Sequence, residues 1–278
     1  MGFRIIVDSC CDMSSEMKEN AVFVNVPLII HCGCRNFVDD STLNQADLLR
    51  EMKQSEDAPT TSCPSPQAYL DAMDCGEEDV YVVTLSAALS GSHNSAQAAR
   101  TMLEEEKPEV NVHVFNSRSA SAGETLVALK IRELAQTGVS FKEVVQKVEQ
   151  FISHMQTLFI LESLENLRKN GRLRKLQAVL AAALHIKLFL HGTPEGEIGM
   201  LSKALSMRQA LNKMVSHIAA DGNHNDSTLI ISHCNCPDRA FGLKEQIERR
   251  CDFANIIIVE TRGIATVYAD NGGIVCAY

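Results

Sequence analysis

The sequence predicts an α/β fold in which an N-terminal, mostly parallel sheet flanked by helices packs against a C-terminal α+β domain. Strand-like and helix-like runs alternate through the first half, which is typical of a parallel sheet with helices on both faces. Hairpin turns mix with helices in the second half, which is typical of an α+β domain. A chain of 278 residues is long enough for two domains. We place them at residues 1–157 and 158–278.

Four apolar runs in the first half have the length and composition of strands. They are Phe3–Val7, Val22–Ile30, Val80–Leu85 and Val110–Phe115. Pro27 indicates an edge or a bulge in the second run, because proline donates no backbone hydrogen bond. Helices are predicted between and after these strands, and Ser65 followed by Pro66 is a strong start signal. The predicted helices cover residues 44–53, 67–73, 96–102, 124–137 and 140–155.

The second half alternates less regularly. Its predicted strands are Thr157–Leu161, Ile186–Leu190, Ile198–Leu201, Ser227–Ser232 and Asn255–Glu260. Its predicted helices are Leu164–Lys169, Arg172–Ala183, Ser206–Ala219 and Asp238–Arg249. Gly192–Gly196 predicts a hairpin turn between two of the strands, and the tail Ile264–Tyr278 contains a second turn at Asp270–Gly273.

The stretch Leu85–Ala96 predicts a binding site for a small anion. It leads from a buried strand into a helix, where backbone N–H groups are free and short hydroxyls are close. Its polar residues include Ser86, Ser90, Gly91 and Ser92. Similar Ser/Thr-rich segments begin at Asp8 and Asn116, and Thr61–Ser62 can fold over them. Such segments also serve as ordinary caps and turns, but several at the carboxyl ends of parallel strands favour a ligand site.

Composition excludes several classes of function. The net charge of −9 argues against nucleic acid as a partner, because phosphate neutralisation needs clustered Lys and Arg. No run of about 18 apolar residues predicts a membrane span, so no stable membrane insertion is expected. The first residues read directly into a strand and not as a signal peptide. Ten cysteines in such a chain are expected to be reduced thiols of a cytoplasmic protein.

Two cysteine groups raise the alternative of a metal-binding regulator. His31-Cys32-Gly33-Cys34 and His233-Cys234-Asn235-Cys236 together contain enough soft ligands for zinc. However, structural zinc sites commonly use Cys-x-x-Cys, and adjacent residues on a strand point to opposite faces. We therefore expect no metal and no cofactor.

A second alternative is an enzyme of small-molecule acyl or phosphoryl transfer that uses Ser86 or Ser90. No dinucleotide fingerprint, P-loop or Gly-x-Ser-x-Gly elbow is present. His93 lies only three residues after Ser90, which is too close to assume a base and nucleophile pair. The enzyme hypothesis therefore depends on a single serine, and we expect a binding protein.

Six segments, in order along the chain, resemble the DegV family. The first two are Ile6-Val7-Asp8-Ser9 and Thr61-Ser62-Cys63-Pro64-Ser65-Pro66, the latter similar to that family's Thr-Ser-x-Pro-Ser-Pro motif. Ser86–Ser95 is similar to its Ser-x-x-Leu-Ser-Gly loop. The others are Asn116-Ser117-Arg118 with Gly123, then Leu164–Leu173, and finally Ile186-Lys187. The resemblance spans nearly the whole chain.

The resemblance implies a two-domain protein that holds one long-chain fatty acid between its domains. In the FakB members of the family a separate fatty-acid kinase phosphorylates the carboxylate of the bound acid, so a kinase subunit is an implied partner. Carried over by motif, the carboxylate-binding residues are Thr61, Ser62, Ser86, Ser90 and Gly91. Arg172 corresponds to an arginine at the kinase-facing surface, although it also reads as a solvated basic residue before a helix.

Two departures from the family pattern favour binding over phosphorylation. The family's C-terminal histidine position is occupied by Ala269, and a second-domain arginine is replaced by Leu205 unless Arg208 serves instead. Apolar runs supply candidates for contact with the acyl tail, although the same residues also fit an ordinary core. The candidates are Leu158, Phe159, Leu161, Ile186, Leu188, Phe189 and Ile264.

Overall fold

The structure is a computed structural model that describes residues 2–177, 186–222 and 224–278. Its strands are β1 (Phe3–Asp8), β2 (Phe23–Val26), β3 (Ile29–Cys32), β4 (Arg35–Val38), β5 (Thr60–Ser62), β6 (Asp79–Thr84), β7 (Asn111–Asn116), β8 (Thr157–Ile160), β9 (Lys187–Gly192), β10 (Ile198–Ala204), β11 (Thr228–His233), β12 (Asn255–Glu260) and β13 (Ile274–Ala277).

Ten α-helices are present in the described ranges. They are α1 (Ser15–Glu19), α2 (Gln45–Gln54), α3 (Pro66–Met73), α4 (Ser92–Glu106), α5 (Ala122–Gln136), α6 (Phe141–His154), α7 (Glu165–Lys169), α8 (Met207–Ala220), α9 (Pro237–Glu248) and α10 (Gly263–Ala269). The predicted helix Arg172–Ala183 begins as a turn and a short 3₁₀ helix at Arg174–Leu176, and its residues 178–183 lie outside the described ranges.

The first sheet confirms the predicted parallel arrangement, with all four strands parallel in the order β2-β1-β6-β7. Helices α3 and α4 cover one face and α5 and α6 the other. Alternation along β1 explains this, because Ile5 and Val7 face α5 and α6 whereas Ile6 faces α3 and α4. Both faces are therefore apolar, as expected for a buried parallel sheet.

Pro27 divides the predicted second strand instead of bulging it. Residues before the proline form β2 of the parallel sheet, and residues after it form β3 of a separate antiparallel sheet with the order β4-β3-β5. Proline lacks the N–H that a continuous ladder would need, so the chain changes sheets there. This small sheet positions β5, which carries Thr61 and Ser62.

The second sheet is mixed, with strand order β10-β9-β8-β13-β11-β12, and only β11 and β12 pair in parallel. It is the predicted C-terminal α+β domain. Helices α8 and α9 cover one face, and α5 contacts β11 and β13 as well as β1 and β6 of the first sheet. Helix α5 is therefore a layer shared by both sheets.

The chain enters the second sheet where the domain boundary is predicted. Gln156 exchanges two backbone hydrogen bonds with Tyr278, at 2.8 and 3.1 Å, and β8 begins at the next residue. The boundary between residues 157 and 158 itself stays a prediction. No helix in the described ranges combines the length and apolar character that crossing a membrane requires.

Candidate functional site

A deep cavity lies between the carboxyl edge of the parallel sheet and the second sheet. Its empty volume, counted together with the open solvent at its mouth, is about 870 Å³. The first half of the chain contributes Cys10, Leu28, Thr61, Leu85, Leu89, Ser90, Arg118, Ser119, Ala120 and Ser121. The second contributes Thr157, Phe159, Leu161, Leu167, Arg172, Gly192, Gly196, Glu197, Ile198, Ile264, Ala265, Tyr268, Ala269 and Val275.

Two of the predicted head-group residues line this cavity. Thr61, on β5, places its Oγ1 3.0 Å from the Oη of Tyr268 on α10. Ser90 lies in the turn before α4, where its Oγ accepts a hydrogen bond from the N–H of Ser92 at 3.2 Å. The N-cap of α4 is Gly91, which has no side chain to cap the helix, so the Ser90 hydroxyl makes a local turn contact just before the helix start. Thr61 and Ser90 therefore combine hydroxyls with an otherwise mostly apolar wall.

Ser86 is buried in a structural contact and does not line the cavity. Its Oγ donates to the carbonyl oxygen of Gly196 at 2.7 Å and accepts from the N–H of Ala88 at 3.2 Å. Gly196 has a φ of +79°, so the hairpin after β9 turns back onto the serine in a conformation that favours glycine. Ser86 thus ties the loop before α4 to the second sheet.

Ser62 and Gly91 also lie outside the cavity. Ser62 is on the opposite face of β5 from Thr61, because side chains alternate along a strand. Its Oγ is 2.9 Å from Nε2 of His31, whose Nδ1 is 2.8 Å from Oδ1 of Asn36. Gly91 is exposed at the N-cap of α4 and lines a neighbouring surface groove. Neither residue is placed to contact a ligand in the cavity.

The predicted tail residues divide between two layers. Phe159, Leu161 and Ile264 line the cavity. Leu158 and Phe189 point to the other face of their strands, into the core beneath α8 and α9. Ile186 and Leu188 pack in the cluster behind the cavity wall without lining it. Three of the seven candidates therefore line the cavity and four do not, and contact with an acyl tail stays a prediction.

Arg172 lines both the cavity and the neighbouring groove, which also includes Arg174 and Lys175. Its guanidinium donates to the carbonyl oxygens of Leu89 and Asn170, at 3.3 and 2.7 Å. The same group lies 5.7 Å above the ring of Tyr268. Arg172 is therefore a half-buried residue at the mouth and not a solvated side chain.

Three positions carry the departures from the family pattern. Ala269 lines the cavity wall, so no imidazole is present there. Leu205 is 80% exposed, and Arg208 lies in a separate groove between α8 and α9. Neither Leu205 nor Arg208 lines the cavity.

Sequence reasoning missed Tyr268 and the two asparagines that hold its surroundings. Asn166 Nδ2 donates to the carbonyl oxygen of Val267 at 2.8 Å, and Asn170 Nδ2 donates to that of Pro59 at 2.9 Å. One short helix, α7, thereby fixes both α10 and the start of β5. The signal was present in Leu164–Leu173, where the asparagines are four residues apart and so share a helix face.

Buried carboxyl groups beneath the cavity were also missed. Burial raises the pKa of Asp8 and of Asp12 to about 7 against the hydrogen bonds that each accepts. Burial and the neighbouring Asp8 raise the pKa of Glu124 well above its usual range. The signal was the acidic spacing Asp8-x-x-x-Asp12 directly after a strand, which was interpreted only as a strand end.

A fourth buried carboxyl group, that of Asp39, joins the two halves of the chain. Asp39, after β4, accepts hydrogen bonds from the N–H groups of Gly263 and Ile264 at 2.9 and 2.8 Å. Asp12 accepts one from the N–H of Arg262 at 2.6 Å. These amides begin α10, so carboxylates from the first half cap the helix that carries the cavity residues Ile264 and Tyr268.

The two alternative hypotheses gain no supporting geometry. His31 and Cys32 belong to the small sheet whereas His233 ends β11 of the second sheet, and the described part of the chain holds no group of three metal-ligating residues. His93 contacts Thr84 at 3.2 Å and Gln97 at 3.4 Å, not Ser90. No base was found beside either serine in the contacts of the described residues.

Known proteins resemble this chain along its whole length. The family model described as "Uncharacterised protein, DegV family" matches residues 2–278. A DegV domain-containing protein of Streptococcus gordonii is 35% identical, covering 100% of this chain and 99% of its own. The solved structure of a DegV family protein from Ruminococcus gnavus, with vaccenic acid, is 44% identical with a TM-score of 0.96, covering 100% of this chain and 99% of that chain.

A second solved structure has a more specific name. It is the Fatty Acid Kinase (Fak) B3 protein of Streptococcus pneumoniae, loaded with linoleic acid. It is 31% identical to this chain with a TM-score of 0.92, and the match covers 100% of this chain and 99% of that one. The match of sequence and fold over the full length identifies the chain as a member of the DegV family.

Proposed function

We propose that this protein binds one long-chain fatty acid in the cavity between domains 1–157 and 158–278. The observation that carries the proposal is a mostly apolar cavity between the two sheets, with the hydroxyl-bearing residues Thr61 and Ser90 in its lining. Thr61 and Ser90 hydrogen-bond the carboxylate, and Phe159, Leu161 and Ile264 contact the tail. Relatives at 44% and 31% identity that hold vaccenic and linoleic acid support the same ligand class.

The energetics of such a ligand fit this division. Each buried methylene contributes about 0.8 kcal/mol, so a 16-carbon tail contributes on the order of 10 kcal/mol before association costs. Hydrogen bonds to a carboxylate contribute less, but an unpaired carboxylate in an apolar site is strongly unfavourable. The tail therefore supplies affinity, while the hydroxyls supply orientation and solvate the head group.

The protein itself acts as a binding subunit that presents the acid to a separate kinase in the cytoplasm. The similarity to a fatty acid kinase B protein supports this partner. The groove that shares Arg172 with the cavity also contains Arg174 and the Lys175–Glu197 ion pair, so its lining carries net positive charge beside the cavity. We propose this groove as the partner surface and assign no catalytic residue to the chain.

The test is extraction of the purified protein under denaturing conditions, followed by mass spectrometry. We expect close to one fatty acid per chain, with roughly 14–18 carbon atoms, because each buried methylene adds about 0.8 kcal/mol. A protein that releases no acid, and takes up no oleate after treatment with a lipid-binding resin, would contradict the proposal. Leu161→Asp, which places a charge on the cavity wall, is the negative control, and Phe241→Asp on the exposed surface is its match.

A further inference from the structure

We propose that the phenol hydroxyl of Tyr268 is a direct ligand of the fatty-acid carboxylate, acting as a pair with Thr61. This inference rests on the proposed function and deepens it. It assigns head-group recognition to a residue that comes from the second half of the chain. Recognition of the carboxylate is then shared between the two domains.

The first argument is position. Tyr268 lines the same cavity as Thr61 and Ser90, and its Oη lies 3.0 Å from Thr61 Oγ1. Each hydroxyl can donate one hydrogen bond and accept others. Their mutual contact uses only one of the two hydrogens, so the pair keeps one O–H for a ligand. A carboxylate is acceptor-only and matches that free donor.

The second argument is that both members of the pair are held in place. The guanidinium of Arg172 lies 5.7 Å above it, in cation–π range. Asn166 holds the backbone one residue before the tyrosine, and Asn170 holds Pro59, two residues before Thr61. Helix α7 thus sets the separation of the two hydroxyls, and we assign Asn166 and Asn170 as positioning residues.

The third argument is the chemistry of the donors. Arg172 gives two of its five N–H groups to carbonyl oxygens, so both the guanidinium and the paired hydroxyls have hydrogen to give to a carboxylate. Hydrogen bonds to an ionised acceptor are about twice as strong as those between neutral groups. A phenol is also a more acidic donor than an aliphatic hydroxyl. The site should therefore prefer a free acid over its ester or the corresponding alcohol.

The experiment compares oleate with methyl oleate, using resin-delipidated protein and titration calorimetry. Tyr268→Phe removes only the hydroxyl, and we expect it to weaken oleate binding about tenfold while leaving methyl oleate unchanged. Thr61→Val should cause a similar loss. The double variant should lose less than the product of the two single losses, because the hydroxyls act as a pair.

Tyr278→Phe is the matched control, since Tyr278 is buried away from the cavity and should leave both affinities unchanged. Asn166→Ala should reduce oleate affinity in the wild-type background but have little effect when Tyr268 is already Phe. A Tyr268→Phe protein that keeps the wild-type preference for oleate over the ester would overturn the inference. Failure of the proposed function has a different result, since the wild-type protein would then bind neither lipid.

Discussion

The two sheets meet the cavity with different chemistry. The parallel sheet presents its carboxyl edge, where strand ends run into turns and helix starts that bear Ser90 and Ser119. The mixed sheet presents a face, from which Phe159 and Val275 project toward the space. An edge exposes backbone N–H groups and short polar side chains, whereas one face of a strand exposes every second side chain. The first arrangement suits a charged head group and the second an apolar chain.

The connection between the two sheets is made by polar contacts. Asp39 and Asp12 reach from the first half to the amides that begin α10. Ser86 reaches the carbonyl oxygen of Gly196 in the hairpin between β9 and β10. Directional hydrogen bonds thus fix how the edge and the face are aligned, which apolar packing alone specifies less sharply.

The largest loss of stability is expected from removing a polar contact that joins the two sheets. Asp39→Ala leaves the N–H groups of Gly263 and Ile264 without their acceptor, and it removes the partner of the half-buried Arg262. We expect the free energy of unfolding to fall by about 3 kcal/mol, measured by urea denaturation. Asp40→Ala, on the neighbouring and more exposed acid, is the control. An equal loss in both variants would show that the capping contacts contribute nothing special.

Narrowing the cavity on its apolar side should change the acyl-chain length that the protein prefers. Leu161→Trp adds a ring to the cavity wall, so we expect palmitate affinity to fall about 30-fold, equivalent to about 2 kcal/mol, and a ten-carbon acid to be affected much less. Competition binding with acids of graded length measures this. Leu201→Trp, on the exposed surface, provides the matched control. A uniform loss at all lengths would place the new ring at the head group instead.

Buried carboxyl groups at the carboxyl edge of the parallel sheet should make the free energy of unfolding depend on pH. Unfolded Glu124 titrates near 4.5, but its folded pKa is well above that value because of burial and Asp8. At a pH between the two pKa values, folded Glu124 keeps a proton that unfolded Glu124 has released. Protonation of Glu124 therefore favours the folded state at low pH, and this contribution to stability is lost as the pH rises. We expect Glu124→Gln to have the same free energy of unfolding as the wild type at pH 4 and a higher one at pH 8.

Denaturation curves at the two pH values measure this difference. Asp8 and Asp12 act in the same direction, since burial raises the pKa of each from 3.8 to about 7. Wild-type stability should therefore retain part of its pH dependence in the Gln variant. The exposed Glu105→Gln serves as control. A stability difference that stays constant with pH would contradict the role of the Glu124 charge.

The smallest change in oleate affinity is expected from a substitution on the outer face of β5. Ser62→Ala removes a hydroxyl that bonds His31 on the outer face, so oleate affinity should change less than twofold. Thr61→Val, one residue earlier, should lose about tenfold. Titration calorimetry on both variants compares them directly. Equal losses would mean that β5 rotates when the ligand binds.

The sequence was informative where local chemistry decides the structure. The helix start at Ser65-Pro66 follows from capping preferences and is confirmed. The turn around Ser90 leads into a helix as predicted, but that helix begins at Ser92, before the predicted Ala96, and its N-cap is Gly91. The face on which a strand residue lies depends on the neighbouring layer. Thr61 and Ser62, like Phe159 and Leu158, therefore could not be separated from sequence alone.

Tyr268 escaped prediction for a related reason. Its helix, α10, is seven residues long and was interpreted as part of an irregular tail before a turn. The caps that stabilise it come from Asp39 and Asp12, more than 200 residues earlier in the chain. Tertiary hydrogen bonds of this kind leave no local pattern, so a short helix that depends on them is invisible to periodicity.

The central place of β13 has a consequence for the order of assembly during synthesis. This strand follows every other strand in the chain, yet it pairs with β8 on one side and β11 on the other. Until it emerges from the ribosome, the sheet is divided into two unjoined parts, and Val275 is missing from the cavity wall. The cavity wall can therefore close only after β13 has been synthesised, and until then the nascent chain has an exposed apolar seam between β8 and β11.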